Sequence, residues 1–174
     1  ILAQLGRLDI TIVFDLIEIR HNLLFNTAVV VKKGSLLGAY RKSNLTTGES
    51  KVFTPGDEYP VFDLDGIRFG INICYDLNFQ RCAKQVAAQG AQLLVCPCNN
   101  MLRRSAAVEW KEKHNQIRAL RCKEANLWLI SSDVTGEREG RISYGPTAVI
   151  SPEGQVVSQA ELESPGMIIH DIAV

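Results

Sequence analysis

The strongest constraint on this chain is its run of strand hairpins set among helices. "NTAVVVKKGSLLGAYRK" (26–42) reads as strand, turn, strand, with Lys33-Gly34 at the turn. "YPVFDLDGIRFGINIC" (59–74) is a second hairpin, turning at Asp65-Gly66, and "YGPTAVISPEGQVVSQ" (144–159) is a third. Between them, 79–89 reads as a helix ended by Gly90, and 105–128 as a longer one in which Ala106, Trp110, His114, Ile117 and Leu120 recur at helical spacing. "DITIVFDLIEI" (9–19) predicts a buried strand, "AQLLVCP" (91–97) a short buried strand stopped by Pro97, "LWLISSDV" (127–134) another, and "GMIIHDI" (166–172) a closing one. Hairpins mixed into a strand–helix alternation argue against an all-parallel sheet. They predict a layered α/β (α+β) sandwich instead.

At 174 residues and 46% hydrophobic, the chain can build one real core. Its net charge of zero offers no electrostatic footprint for nucleic acid or a membrane surface. No apolar run is long enough to span a bilayer, and no leader pattern is visible. Five cysteines, an odd number, suggest a reducing, cytoplasmic setting, with Cys96-Pro97-Cys98 read as small residues at a strand end. His21, His114 and His170 lack metal-ligand spacing, so no metal or organic cofactor is expected.

The chemistry centres on "FGINICYDLNF" (69–79). An apolar strand ends at Cys74 and a helix begins soon after. That geometry lifts a side chain out of a sheet and brings backbone N–H groups near it, which favours a thiolate and a developing oxyanion. A buried core cysteine is the other reading. Lys42, after a hairpin strand, and Glu49, in a glycine-containing loop, read individually as solvated charges.

Together, "YRKSNL", "ESKVFTPGDEYPVF" and "GINICYDLNF" resemble the nitrilase superfamily of carbon–nitrogen hydrolases, in order and over nearly the whole chain. The segment "RALRCKEANLWLISSDVTGEREGRISYGPTAVISPEGQVV" continues the likeness. The resemblance implies an α-β-β-α sandwich that dimerises through helices, with 105–125 a candidate face. It implies an amidase acting on a small amide or N-carbamoyl compound. Cys74 is then the nucleophile, Lys42 and the backbone N–H of Tyr75 hold the oxyanion, and Glu49 supports the lysine. Asn99 and Asp133, each just after a strand, fall where the family's pocket lies.

The same resemblance calls for an upstream glutamate as general base. Only 41 residues precede Lys42, and the chain opens on Ile1 with what reads as the tail of a helix. The expectation is a single domain, 1–174, lacking the family's first strand and helix, its base and a C-terminal tail. Glu18, at the end of "DLIEI", is a tempting substitute in a position that usually has no base role. Asn44 and Gln80 stand where histidine and proline are common. Two rivals follow: a non-catalytic relative serving as a binding or assembly subunit, and a Cys–His thiol protein.

Overall fold

The computed structural model describes residues 2–64 and 66–173. Ile1 and Asp65, the latter in the expected 59–74 turn, lie outside the described residues. After a single helical turn, α1 (Leu2–Leu5), come β1 (Thr11–Arg20), β2 (Leu23–Lys32) and β3 (Ser35–Arg41). They form an antiparallel sheet in the order β1-β2-β3. Two two-residue turns build it. His21 and Asn22 have φ of 50° and 62°, and Lys33 and Gly34 have 49° and 75°. Paired left-handed residues match the twist of the strands they join. The first of these turns was not anticipated.

The second sheet has six strands: β4 (Val61–Leu64), β5 (Ile67–Ile71), β6 (Leu93–Cys98), β8 (Trp128–Asp133), β11 (Ala148–Ile150) and β12 (Val156–Gln159). Its order is β12-β11-β8-β6-β5-β4, with a parallel centre of β5, β6 and β8 and antiparallel flanks. A small sheet of β7 (Leu102–Arg103), β10 (Arg141–Tyr144) and β9 (Thr135–Arg138) lies in the order β7-β10-β9.

Alternation along β6 explains the layering. Leu94, Cys96 and Cys98 face Val86, Cys122 and the rest of the core under the helices α2 (Gln80–Ala88) and α3 (Arg104–Ala125). Leu93 and Val95 face Ala28, Val30 and Tyr40 of the three-stranded sheet. A strand buried on both faces must read as continuously apolar, as 91–97 does. The described residues therefore make three layers, helix on sheet on sheet, and the turn α1 lies beside the Lys33–Gly34 hairpin.

Several elements differ from the sequence reading. The strand at 9–19 is not buried: Ile17 is 65% and Ile19 74% exposed, because β1 pairs only with β2 and sits at the sheet's edge. The buried strand is its neighbour β2, whose Ala28 and Val30 are fully covered.

Pro97 does not stop β6, which continues to Cys98 opposite Asp133. Val95 accepts from the N–H of Asn72 beyond β5, so two residues on the nitrogen of Pro97 points to that same side. The β5–β6 ladder has already ended at Ile71–Val95, and the missing donor costs nothing.

Leu120 does not share the buried stripe of α3; it is exposed, and Ala107, Arg118, Arg121 and Cys122 are the buried positions. The segment 166–172 forms no strand. It lies irregularly, with Met167 and Ile169 exposed, packs on the core through Ile172, and sets His170 against the ring of Trp128.

Candidate active site

A cavity of about 430 Å³ opens where the parallel strands end, and Cys74, Lys42 and Glu49 share its wall. Open α/β sheets put their ligands there, because the loops after successive parallel strands converge. β5 delivers Cys74 after Ile71, β6 delivers Asn99 and Asn100, and β8 ends at Asp133.

Cys74 opens a short 3-10 turn, Cys74–Asn78, with φ of 45°. A left-handed backbone is costly for a side chain with a Cβ, and persists only where the surroundings enforce it. Asp76 enforces it. Its fully buried carboxylate accepts from the N–H of Ile73 at 2.9 Å, from the N–H and the amide of Asn44 at 2.9 Å each, and from the hydroxyl of Tyr40 at 2.9 Å. One carboxylate thus joins the Cys74 turn to the segment that follows Lys42.

Lys42 is 2% exposed, and its Nζ donates to Glu49 Oε1 at 2.5 Å. Its backbone is pinned on both sides, N–H to Asn26 and carbonyl to the N–H of Gly56. Gly56 has to be glycine here, since a Cβ would lie 2.5 Å from the carbonyl oxygen of Arg41. Glu49 accepts a second bond from the N–H of Thr46 at 2.8 Å. Burial works against its charge, but the bonds from Lys42 and Thr46 outweigh it and hold the carboxyl below its usual range.

The Cys74 thiol donates to Asn100 Oδ1 at 3.2 Å. Asn100 in turn bonds Asp133 through its backbone N–H at 3.1 Å and through its amide at 2.5 Å. Arg118, buried on α3, completes the set by donating to Asp133 and to Cys98 Sγ, at 3.1 Å each. The neighbouring thiol of Cys98 and burial push the Cys74 thiol well up, against the pull of Lys42. Cys98 moves the other way, held down by the thiols of Cys74 and Cys96 and by Arg118. Cys74 therefore rests as a neutral thiol.

Lys42, Glu49, Cys74, Tyr75 and Asn99 come together on the cavity wall. Asp133 does not; its side chain is wholly buried behind the wall against Arg118 and Asn100. Sequence reasoning missed Asn100, which touches the thiol, as well as Arg118 and Cys98. Cys98 is no inert strand-end residue, because it reaches the wall and accepts from Arg118. The available signal for Arg118 was its place one helical turn after His114, on the inward stripe of a helix whose other charged residues are mostly exposed.

Glu18 does not line the cavity. It is clamped by Arg41 at 2.6 and 2.8 Å and by Thr27 at 2.9 Å, which hold its pKa down, Arg41 most strongly. Asn44 bonds Asp76, Cys82 and Arg81 rather than lining the cavity. His114 lines the wall, and burial and Arg118 lower its pKa to about 4, so it is neutral near pH 7. Among the described residues, no three His, Cys, Asp or Glu side chains gather as metal ligands, and no helix is long and apolar enough to cross a membrane.

The chain is 33% identical over 140 residues to a nitrilase of Pyrococcus abyssi, covering 80% of this chain and 50% of that protein. It is 32% identical over 169 residues to the omega-amidase NIT2 of Homo sapiens, covering 86% and 56%. It spans about half the length of the relatives it matches. Among solved structures, a carbon–nitrogen hydrolase from Helicobacter pylori G27 superposes with a TM-score of 0.84 at 24% identity, over 92% of this chain and 61% of that one. An amidase from Nesterenkonia sp. AN1 superposes with a TM-score of 0.77 at 25% identity, over 89% and 60%. A variant of that amidase has acrylamide added at its active-site cysteine. The carbon–nitrogen hydrolase family model matches residues 1–174, and the chain belongs to that family.

Proposed function

We propose that the intact protein hydrolyses the C–N bond of a small amide or N-carbamoyl compound through a thioester on Cys74. The observation that carries this reading is a half-buried cysteine in a left-handed backbone conformation on the wall of a cavity that also holds a buried lysine. The sulfur attacks the carbonyl carbon, and the resulting oxyanion is met by Lys42 and the backbone N–H of Tyr75. The C–N bond then breaks, the amine leaves with a proton, and water releases the acid from the thioester. Glu49 aims Lys42. The acrylamide adduct on the Nesterenkonia amidase supports a reactive cysteine in this fold.

A neutral resting thiol needs a base to accept its proton and an acid to protonate the leaving amine. Among the described residues, Glu49 is the one carboxylate on the wall, and it is engaged by Lys42. The resemblance gives the base role to a separate glutamate. A second reading is a relative that keeps the fold and the thiol but binds rather than cleaves. Ammonia release from a panel of small amides by the full-length protein separates the two. Hydrolysis lost in Cys74→Ala supports the enzyme, and no hydrolysis of any amide by wild type supports the binder. Homodimerisation through α3 is a further proposal, supported by Val108 and Leu120, which α3 leaves exposed.

A further inference from the structure

Cys98 has no step in the hydrolysis proposed above, yet its surroundings suit thiolate chemistry. Arg118 Nη2 donates to its sulfur at 3.1 Å, and the Cys96 thiol lies 3.4 Å away. The arginine is not free to swing. Asp133, Asn115 and the carbonyl of Pro146 hold its guanidinium from other sides. A cation fixed beside a sulfur stabilises the thiolate, and the thiolate is the form that reacts. Cys98 also reaches the cavity wall, so a small molecule in the cavity meets it.

Cys74 supplies a second sulfur. It lines the same cavity and packs on the buried cluster to which Cys98 belongs. The Cys98 thiol and burial keep the proton on Cys74, while the thiols of Cys74 and Cys96, with Arg118, draw it off Cys98. Thiol oxidation uses such an unequal pair: one sulfur attacks the oxidant and the other condenses with the product. Cys96 touches Cys98 as well, but it is badly placed for a disulfide. Residues i and i+2 of a strand carry their Cβ atoms about 6.6 Å apart, whereas a disulfide needs about 3.5–4.5 Å. The ladder to β8 holds β6 at that spacing, through Cys96–Ser131 and Cys98–Asp133. Cys74 stands on a turn outside the ladder.

We propose that Cys98 is a redox-active site of this cavity: a small hydroperoxide oxidises it, and it then closes a disulfide onto Cys74. The Cys98 thiolate attacks one peroxide oxygen, the O–O bond breaks, and the other oxygen leaves with a proton as water or an alcohol. Cys98 then carries a sulfenic acid. The Cys74 sulfur displaces its hydroxyl, the S–O bond breaks, and the Cys74 proton leaves with the hydroxyl as water. Across these steps the peroxide gains two electrons and the thiol pair loses two. A dithiol reverses the bond by exchange. The disulfide is independent of the hydrolase reading; the loss of hydrolysis it causes rests on that reading.

The test treats reduced full-length protein with a low excess of hydrogen peroxide, blocks free thiols, and maps the unreduced digest by mass spectrometry. Wild type should give a Cys74–Cys98 disulfide that dithiothreitol removes, and Cys96→Ser should give the same bond. Cys74→Ala should trap sulfenic acid on Cys98, and Cys98→Ser should leave Cys74 a thiol, so that dimedone labels the first site about tenfold more than the second. Where wild type hydrolyses amides, peroxide should remove the activity and dithiothreitol restore it, while Cys98→Ser keeps most of its own. Wild type that forms the bond but hydrolyses nothing upholds the inference and leaves only the binder. Cys74 and Cys98 remaining unlinked, or a Cys96–Cys98 bond in their place, overturns the inference, and so does stronger labelling of Cys74 than of Cys98.

Discussion

The carboxylate of Asp76 holds the backbone N–H of Asn44 at 2.9 Å, and so ties the turn that presents Cys74 to the strand end that presents Lys42. β5 and β3 belong to different sheets, and this buried acceptor fixes the distance between their loops. Asp76→Ala leaves the donors of Ile73, Asn44 and Tyr40 buried without an acceptor. The expected loss is about 3–5 kcal/mol, read as a lower urea midpoint. Asp76→Asn keeps the shape but only one acceptor oxygen, and should lose less.

The backbone at Cys74 gives a prediction in the opposite direction. At φ of 45°, a residue with a Cβ stores strain that glycine does not. Cys74→Gly should therefore be more stable than Cys74→Ala by roughly 1 kcal/mol in urea unfolding. Equal stabilities would mean that the turn holds no strain there.

The Lys42–Glu49 pair should respond asymmetrically. The Lys42 side chain is 3% exposed and that of Glu49 23%. Glu49→Ala strands a buried cation and should cost about 3 kcal/mol or more. Lys42→Met leaves a carboxylate that still accepts from Thr46, and should cost less. Thermal and urea unfolding of both variants gives the order. On the hydrolase reading, Lys42→Met should also lower kcat by about a hundredfold or more.

His114 makes stability depend on pH. Its folded pKa, about 4, lies below the ordinary 6.5, so the unfolded chain takes up a proton between those values while the folded protein does not. The stability associated with neutral His114 is fully present above pH 6.5 and is lost as pH falls toward 4. The loss, discounted for partial exposure, is on the order of 2 kcal/mol. Wild type should therefore lose stability relative to His114→Gln between pH 7 and pH 4.5, as measured by urea unfolding at both values. A gap between the two proteins that does not change with pH contradicts this account.

Much of the architecture was legible in local signals. Lys33-Gly34 marked its hairpin because a tight turn needs residues that tolerate a left-handed backbone, and the apolar run at 91–97 marked a strand covered on both faces. The same logic missed the edge position of β1. Nothing inside "DITIVFDLIEI" says whether a second strand lies beside it, so its composition matched a buried strand while its place in the sheet left Ile17 and Ile19 exposed. The choice between Asn99 and Asn100 was hidden for a related reason. Both follow β6, and only the backbone path after Cys98 turns one of them toward the thiol.

By itself, the sequence determined the three hairpins at 26–42, 59–74 and 144–159, the two longer helices and the three motifs that carry Lys42, Glu49 and Cys74. Those are properties of neighbours along the chain, where spacing and turn chemistry act directly. The tertiary structure alone decided that Asp76 clamps two loops together, that Arg118 and Asp133 brace Asn100 from behind, and that Arg141 of the cavity wall stands opposite Arg103 and Arg138 in its small sheet. Each of these joins residues from separate elements, and their electrostatic and hydrogen-bond energies depend on distances that exist only after the sheets have packed.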